Sequence, residues 1–373
     1  MSGLSPENWI DIPGVGALLG MAVGDALGTT YEFQGIEQPD YPTLATGPAT
    51  DLVGRGPFDL KAGQVTDDTQ MAVCLARSLA DKRGIDMVDL ATRYVAWFQH
   101  AFDVGNQTAG ALRAIEQGES VGTAARRVWH GSGRRAAGNG SLMRTVPIGV
   151  FYARTSVEKL VEASVSDSII THADPRCVIA CAAFNAAIAR GVVMTGPGTR
   201  MASGSGASLP VNDGVAVTQA QFEAGRVAIP IAAAKLRELY DDNRDDLALI
   251  DAAVEDLERD LEVCASDNPR VYRVDLDLRK MAGFVRVAFR LAFWHLMHTP
   301  SWRAAVVDVA SRGGDADTNA AIVGALLGAR DGVAAIPREW IDRVLGVKQP
   351  GPDDWAESIH PKHLLAFARV AAE

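Results

Sequence analysis

The chain has 373 residues, 48% of them hydrophobic and 22% charged, with a formal net charge of −10. That is the make-up of a soluble globular protein, long enough for one large domain or two ordinary ones. The acidic balance excludes a general nucleic-acid-binding surface, which needs clustered Lys and Arg, but allows a small anionic ligand beside bound cations.

Aromatic residues make up only 6%, so Ala, Val, Leu and Ile must build the core, which favours closely packed helices. In chain order, apolar periodicity predicts helices over 14–28, 68–82, 86–101, 106–117, 156–170, 174–191, 216–240, 246–264, 282–298, 302–311 and 318–330. Residues 34–64, rich in Gly, Pro and Asp, read as a loop. Residues 195–214 read as a flexible Gly/Ser-rich excursion within one domain spanning 1–373. Val271 to Leu278 alternates briefly and is a lone strand candidate. Cys177 and Cys181 share a helix face without a second ligand pair. With Cys74 and Cys264 they read as buried small hydrophobes, not a disulfide scaffold. The first apolar run, Ile12 to Gly24, is too short to span a bilayer and follows acidic Glu7 and Asp11, unlike a signal peptide. The expected setting is the cytoplasm, with no membrane contact.

Gly16, Gly20, Gly24 and Gly28 recur at four-residue spacing in the first helix, and Gly324, Gly328 and Gly332 repeat the pattern late in the chain. Such spacing lines one helix face. Each helical glycine costs about 1 kcal/mol against alanine, so the stripes imply close backbone packing. Asp25 adjoins one stripe, and Asp315 and Asp317 adjoin the other. The two helices are therefore expected to cross near a site.

Thr66-Asp67-Asp68-Thr69 opens one predicted helix, and Gly313-Gly314-Asp315-Ala316-Asp317-Thr318 opens another. Taken singly, each is explained by helix capping, because acidic residues suit the positive end of the helix dipole. Asp315 and Asp317, two apart, converge only if their segment turns into the helix, as the paired glycines permit. Taken together, the motifs suggest a four-carboxylate cage that would repel itself without divalent cations. Its ligands are oxygens only, which selects Mg²⁺, Mn²⁺ or Ca²⁺ over Zn²⁺. The helical isoprenoid synthases also use paired aspartates, but their third carboxylate is replaced here by Met71.

The chain resembles the ADP-ribosylglycohydrolase family in seven segments that keep the family's order. These are residues 16–28, Tyr31-Glu32-Phe33, Thr66-Asp67-Asp68-Thr69, Asp103-Val104-Gly105-Asn106, Gly138-Asn139-Gly140-Ser141-Leu142-Met143-Arg144, Thr171-His172-Ala173-Asp174, and the run from Gly313 to Ile322. The resemblance implies an all-α, single-domain orthogonal helix bundle of that family's type. It also implies two Mg²⁺ ions (or Mn²⁺) at the base of an ADP-ribose cleft. By position the metal ligands would be Thr66, Asp67, Asp68, Asp315, Asp317 and Thr318. Glu32 and Asp103 would be the catalytic acid or base, although a solvated charge and a helix cap are their simpler readings. Gly138, Asn139, Gly140 and Ser141 would form the loop whose amides approach a diphosphate, and His172 would contact the ligand. The pairs His295/His298 and His360/His363 match no family ligand. Arg286 and Arg290 depart from the family's Thr-Leu and small residues, and were expected to alter the substrate rim.

The implied reaction is hydrolysis at the anomeric carbon of the distal ribose, releasing ADP-ribose from an arginine, a serine or a small-molecule conjugate. A monomer is expected. The rival readings are a non-catalytic ADP-ribose-binding or structural relative, and a hydrolase of another nucleotide-like glycoside.

Overall fold

The computed structural model describes Trp9 and residues 12–195, 211–266 and 276–373. Among these residues the helices are α1 (Val15–Gly28), α2 (Asp67–Lys82), α3 (Met87–Phe98), α4 (Asn106–Glu116), α5 (Val121–Gly131), α6 (Val146–Phe151), α7 (Val157–Thr171) and α8 (Pro175–Thr195). They continue with α9 (Val211–Leu239), α10 (Arg244–Ala265), α11 (Val285–His298), α12 (Trp302–Ser311), α13 (Ala316–Asp331), α14 (Arg338–Gly346), α15 (Asp353–Ser358) and α16 (Lys362–Ala372). The described residues contain three isolated β-bridges and no strand. The fold is all-α, as composition and periodicity predict.

The glycine stripes decide the central packing. A Cβ added at Gly16, Gly20, Gly24 or Gly28 would fall 2.1–2.3 Å from the carbonyl oxygens of Gly328, Gly324, Ala320 and Ala316 in turn. No side chain fits there, so α1 and α13 lie antiparallel with their backbones in direct contact. The end of α1, carrying Asp25, therefore meets the start of α13, carrying Asp317. Gly332 also packs against Gly16, its Cα 2.9 Å from a Cβ added there, but from the cap of α13 with φ 77°; in the other direction the small-residue face runs on through Ala320 and Ala316.

Local signals set most helix starts. The side chains of Asp86, Ser156, Asn243 and Ser301 accept backbone N–H bonds at the heads of α3, α7, α10 and α12. Five helices escaped the periodicity reading: α5, α6, α14, α15 and α16. All are short, at 6–11 residues. The last three each begin directly after a proline, Pro337, Pro352 and Pro361, a start signal independent of periodicity. The loop over 34–64 is held down by α12 and the turn after it. Asp308 accepts from Ala45 N (2.6 Å), Ser311 Oγ accepts from Ala49 N (3.0 Å), and Arg312 Nη1 donates to Pro39 O (2.9 Å).

The expected 195–214 excursion is narrower than its composition suggests, since Thr195 ends α8 and 211–214 already belong to α9. Residues 196–210 lie outside the described residues, as does most of the strand candidate (271–275). Helix α8 is long and apolar enough to cross a membrane, with mean hydropathy 1.9, but 83% of that window is buried inside the bundle. All four cysteines are free and buried.

Candidate metal centre and ligand cavity

Two helix N-termini and the end of a third converge on one point. Asp25, fully buried at the end of α1, accepts from Thr66 N and Oγ1 (3.0 and 2.9 Å) and from Thr69 N and Oγ1 (3.2 and 2.5 Å). It thereby ties the start of α2 to α1. Asp68 Oδ2 accepts from Thr66 Oγ1 (3.1 Å) and from Thr318 Oγ1 (3.3 Å), joining α2 to α13. Gly313 and Gly314, with φ 69° and 71°, make the turn that brings Asp315 and Asp317 to one side. Asn139 Nδ2 donates to Asp315 Oδ2 (2.7 Å).

Glu32 joins this group from the segment after α1. Its Oε2 accepts from Ala316 N (2.5 Å) and Asp317 N (3.4 Å), so it caps α13. An antiparallel bridge between Gly35 and Gly313 fixes the approach, with Phe33 N donating to Gly314 O (2.7 Å). Glu32, Asp315 and Asp317 each place a carboxylate oxygen within 4.8 Å of the others, close enough to share one ion. Sequence reasoning placed Glu32 beside the ligands; in the structure it stands among them.

The electrostatics describe a site that wants cations. Burial first, then like charge, holds both aspartates well above the usual carboxylate range: Asp103, Asp317, Asp25 and Asp315 act on Asp67, and Asp317, Asp25, Asp67 and Asp315 on Asp68. Asp317 is likewise raised well above it by burial and Asp315, and Asp315 is raised by burial. Glu32 is pushed up to about 12 by burial, Asp317 and Asp315. Asp25 rises to about 6 through burial, against four hydrogen bonds that favour its charge. Asp103 rises to about 7 through burial and the nearby Asp315 and Asp25 charges. Asp68 Oδ1 is buried with no hydrogen-bond partner. Hard-oxygen donors, an orphaned carboxylate oxygen and no thiol or imidazole in the group fit a divalent ion of the magnesium type.

Above the acidic group lies a cavity of about 540 Å³, within the range of small-molecule sites. Glu32, Asp67, Asp103, Asp315, Asp317 and Thr318 line its acidic part. Thr66 and Asp68 lie behind them, fully buried. Gly138, Asn139, Gly140 and His172 line it elsewhere, together with Gln107 and Gly283.

A profile of the ADP-ribosylglycohydrolase family matches residues 14–371. The chain belongs to the ADP-ribosylglycohydrolase family. It is 30% identical over 351 residues to the ADP-ribosylarginine hydrolase Tri1 of Pseudomonas putida, covering 91% of this chain and 76% of that one. A putative ADP-ribosyl glycohydrolase, L543, of Acanthamoeba polyphaga mimivirus is 29% identical over 350 residues, covering 91% and 92%. A solved chain described as an ADP-ribosylglycohydrolase-related protein complex superposes with TM-score 0.62 at 24% identity, covering 97% and 99%, and shares the fold. Family membership makes the protein a glycohydrolase.

In this family member the diphosphate-loop expectation needs refinement. Gly138 N already donates to Gln107 Oε1 (3.1 Å), and Asn139 N to Gly283 O (3.0 Å). The amides of Gly140 and Ser141 have no acceptor among the described residues. Ser141 does not line the cavity with its side chain, because its hydroxyl is buried and accepts from Ser168 Oγ (2.9 Å). Ser141 is fully buried and lies behind the loop, so Gly140 carries the one of these two amides that borders the cavity.

His172 stands against this loop, since a Cβ at Gly140 would fall 2.9 Å from His172 Cε1. Behind it, buried Arg144 donates Nη1 to Thr171 Oγ1 (2.8 Å), which leaves the Thr171 hydroxyl proton for His172 Nδ1 (2.8 Å). With that proton given to Nδ1, the ring proton sits on Nε2. Burial, reinforced by the Arg144 charge, holds the imidazole well below its ordinary pKa and so neutral.

Arg286 and Arg290 correct an expectation. They do not line the cavity: both turn to α10, where Asp260 accepts from Arg286 Nε (2.7 Å) and Arg290 Nε (2.5 Å). Four-residue spacing puts them on one face of α11, and that face meets α10. The unassigned histidines act as hydrogen-bonders: His298 pairs with Cys264 O, His360 with Val347 O and His363 with Glu357 O, while His295 Nδ1 pairs with Thr299 Oγ1. Sequence reasoning missed three site features. Asp25 as the anchor was signalled by threonines at both ends of Thr66-Asp67-Asp68-Thr69. Gln107 and the Arg144–Thr171 pair left no spacing signal, because their partners are distant in sequence.

Proposed function

We propose that this chain hydrolyses the bond between ADP-ribose and the group that bears it, with two Mg²⁺ ions (or Mn²⁺) bound in the acidic cage. The observation that carries this reading is an oxygen-only cage exposed on one side to a cavity that Gly140, with its free backbone amide, also lines. When bound, the ions would hold vicinal ribose hydroxyls and lower the pKa of a water molecule. Thr66, Asp67, Asp68, Asp315, Asp317 and Thr318 would ligate them, with Glu32 close enough to join. Asp25 holds the start of α2 in register and touches no substrate.

Glu32 and Asp103 are the candidates for moving the proton at the scissile bond. Burial and like charge raise both, Asp103 to about 7 and Glu32 to about 12, and a carboxyl held near 7 is placed to act as an acid at neutral pH. The Gly140 amide would receive a diphosphate, and His172 Nε2–H would donate to a ligand oxygen. Relatives named for ADP-ribosylarginine and ADP-ribosyl hydrolysis support this substrate class.

The test is release of ADP-ribose from arginine-linked, serine-linked and small-molecule conjugates, with Mg²⁺ and with chelator. Mg²⁺-dependent release from at least one conjugate is expected. ADP-ribose binding without release from any of them would leave a non-catalytic binder.

A further inference from the structure

Glu32 and Asp103 line one cavity from segments outside any helix, one after α1 and one between α3 and α4. Glu32 is framed by its own surroundings: its carboxylate caps α13, and Phe33 N donates to Gly314 O. Asp103 has no such frame. Among the described residues, no backbone-to-backbone hydrogen bond involves 101–104. A third segment meets both. Residues 55–60 close a turn in which Arg55 N donates to Leu60 O (2.5 Å) and Leu60 N to Arg55 O (2.9 Å). The turn sits on the residues just before Glu32: a Cβ at Gly56 would fall 2.1 Å from Thr29 O, and Thr30 Oγ1 donates to Gly54 O (2.9 Å). From this turn, half-buried Phe58 meets Phe33 edge-on at 6.4 Å between ring centroids and Phe102 at 5.5 Å, distances at which aromatic pairs attract. Phe33 directly follows Glu32, and Phe102 directly precedes Asp103. Of the three rings only Phe33 lines the cavity, and its left-handed φ of 59° is one that a bulky residue adopts where its surroundings impose it.

We propose that Phe58 is a positioning residue whose ring, set between Phe33 and Phe102, fixes Asp103 relative to Glu32 without touching the ligand. This rests on the hydrolase reading above, in which those two carboxyls are the candidates for moving the proton. A carboxyl that exchanges a proton in the transition state must lie within hydrogen-bond reach of the reacting atom. A misplacement of about 1 Å, caused far from the chemistry, can cost about 100-fold in rate. The segment carrying Asp103 lacks the backbone bonds that would hold such a tolerance, and the Phe102 ring gives it an anchor one residue away. Phe58 ties that anchor to the turn seated against Thr29 and Thr30, so the 34–64 loop sets the spacing of the two carboxyls. The outer rings are exposed, Phe33 at 70% and Phe102 at 37%, so this cluster carries little of the core and its positioning role is separable from folding.

The experiment compares the full chain with Phe58→Ala, Phe58→Tyr, Asp103→Asn and the double variant Phe58→Ala/Asp103→Asn, in Mg²⁺, on the conjugates used above. Phe58→Ala should lower kcat about tenfold, the size of a sub-ångström displacement, with KM and ADP-ribose affinity within about twofold of wild type. Phe58→Tyr keeps the ring and should restore kcat. In the Asp103→Asn background Phe58→Ala should lower kcat less than about twofold, because the carboxyl it positions is gone, whereas a merely structural role would multiply through. Hydrogen exchange gives a readout apart from activity: amides in 101–105 should exchange at least about fivefold faster in Phe58→Ala, with α1 and α13 unchanged. Multiplicative effects in the double variant, a matching loss of ADP-ribose affinity, no rescue by tyrosine, or unchanged exchange at 101–105 would each overturn the proposal. If wild type releases no ADP-ribose from any conjugate, the hydrolase reading fails by itself. Exchange then decides the brace alone: faster exchange confined to 101–105 supports it, and unchanged exchange overturns it.

Discussion

The described residues bury two kinds of aspartate. Around the cavity, Asp67, Asp68, Asp315 and Asp317 have carboxylates for neighbours and sit above the usual carboxylate range. Away from it, each buried aspartate has an arginine. Asp260 meets Arg286 and Arg290, Asp246 meets Arg126 and Arg134, and Asp308 meets Arg312. Burial would raise Asp308, but His295 and Arg312 bring it down to about 2, and Arg134 with Arg126 likewise hold Asp246 below its ordinary value. Asp167 lies between the two kinds, raised by its complete enclosure even against Arg144. Where the chain supplies the countercharge, the aspartate serves the fold. Where it supplies none, the charge has to come from outside.

The sharpest way to break this distinction is to remove one member of each set. Asp317→Asn should cut ADP-ribose release about a thousandfold or more, the scale of losing several kcal/mol of metal-assisted stabilisation. Yet the metal-free variant should melt no lower than metal-free wild type, because a repelling charge has gone. Asp67→Asn should behave alike, with an unchanged helical circular dichroism spectrum. Asp260→Ala should do the reverse. It removes the buried carboxylate that Arg286 and Arg290 share and should cost about 3–5 kcal/mol in denaturant unfolding, with the active protein that remains folded turning over normally. A cage mutant that unfolds, or an Asp260 mutant as stable as wild type, would erase the difference between the sets.

pH should separate them next. In chelated protein the cage carboxyls have folded pKa values above their unfolded ones, with Asp25 at about 6 and Asp103 at about 7. The folded state then binds more protons than the unfolded state, so this contribution is present below about pH 4 and lost as pH rises toward 7. Asp308 has the opposite sign. Its folded pKa is depressed to about 2, so its contribution is present above about pH 4 and lost as pH falls toward 2. Melting curves of chelated protein should fall from pH 5 to 8, and saturating Mg²⁺ should remove that decline. A flat chelated profile would mean that the cage carboxyls do not repel as their burial implies.

The cage was the more legible half in sequence. Its two motifs carry their own chemistry, and the glycine stripes of α1 and α13 state which helices must touch, so the meeting of Asp25 with the Asp317 end could be read before any coordinates. The arginine-paired half was not legible. Arg286 was read as a change to the substrate rim, because four-residue spacing shows a shared face but not which neighbour that face meets. Short helices such as α14 and α16 offer only 9 and 11 residues over which a period can be read. Ser141 is read as part of the loop whose amides approach a diphosphate, whereas the structure buries it completely, with its hydroxyl accepting from Ser168 Oγ.

One arginine-paired cluster reaches the cavity, and it gives the smallest and most specific test. Arg144 contacts Asp167 through Nε (3.3 Å), donates Nη2 to Asp167 O (3.0 Å), and turns Nη1 to Thr171. This fold-serving pair thereby turns the Thr171 hydroxyl toward His172 Nδ1 on the cavity wall. Thr171→Val removes the hydroxyl with little change in volume, so His172 loses the donor that keeps its proton on Nε2. Affinity for ADP-ribose should fall about fivefold, the effect of about one net hydrogen bond, and Thr171→Ser should restore it. The ¹⁵N shifts of His172 should show a protonated Nε2 in wild type and in Thr171→Ser, and a mixture of tautomers in Thr171→Val. Cage and arginine clusters would then be coupled through a single hydroxyl. An unchanged His172 spectrum in Thr171→Val would show that they are not.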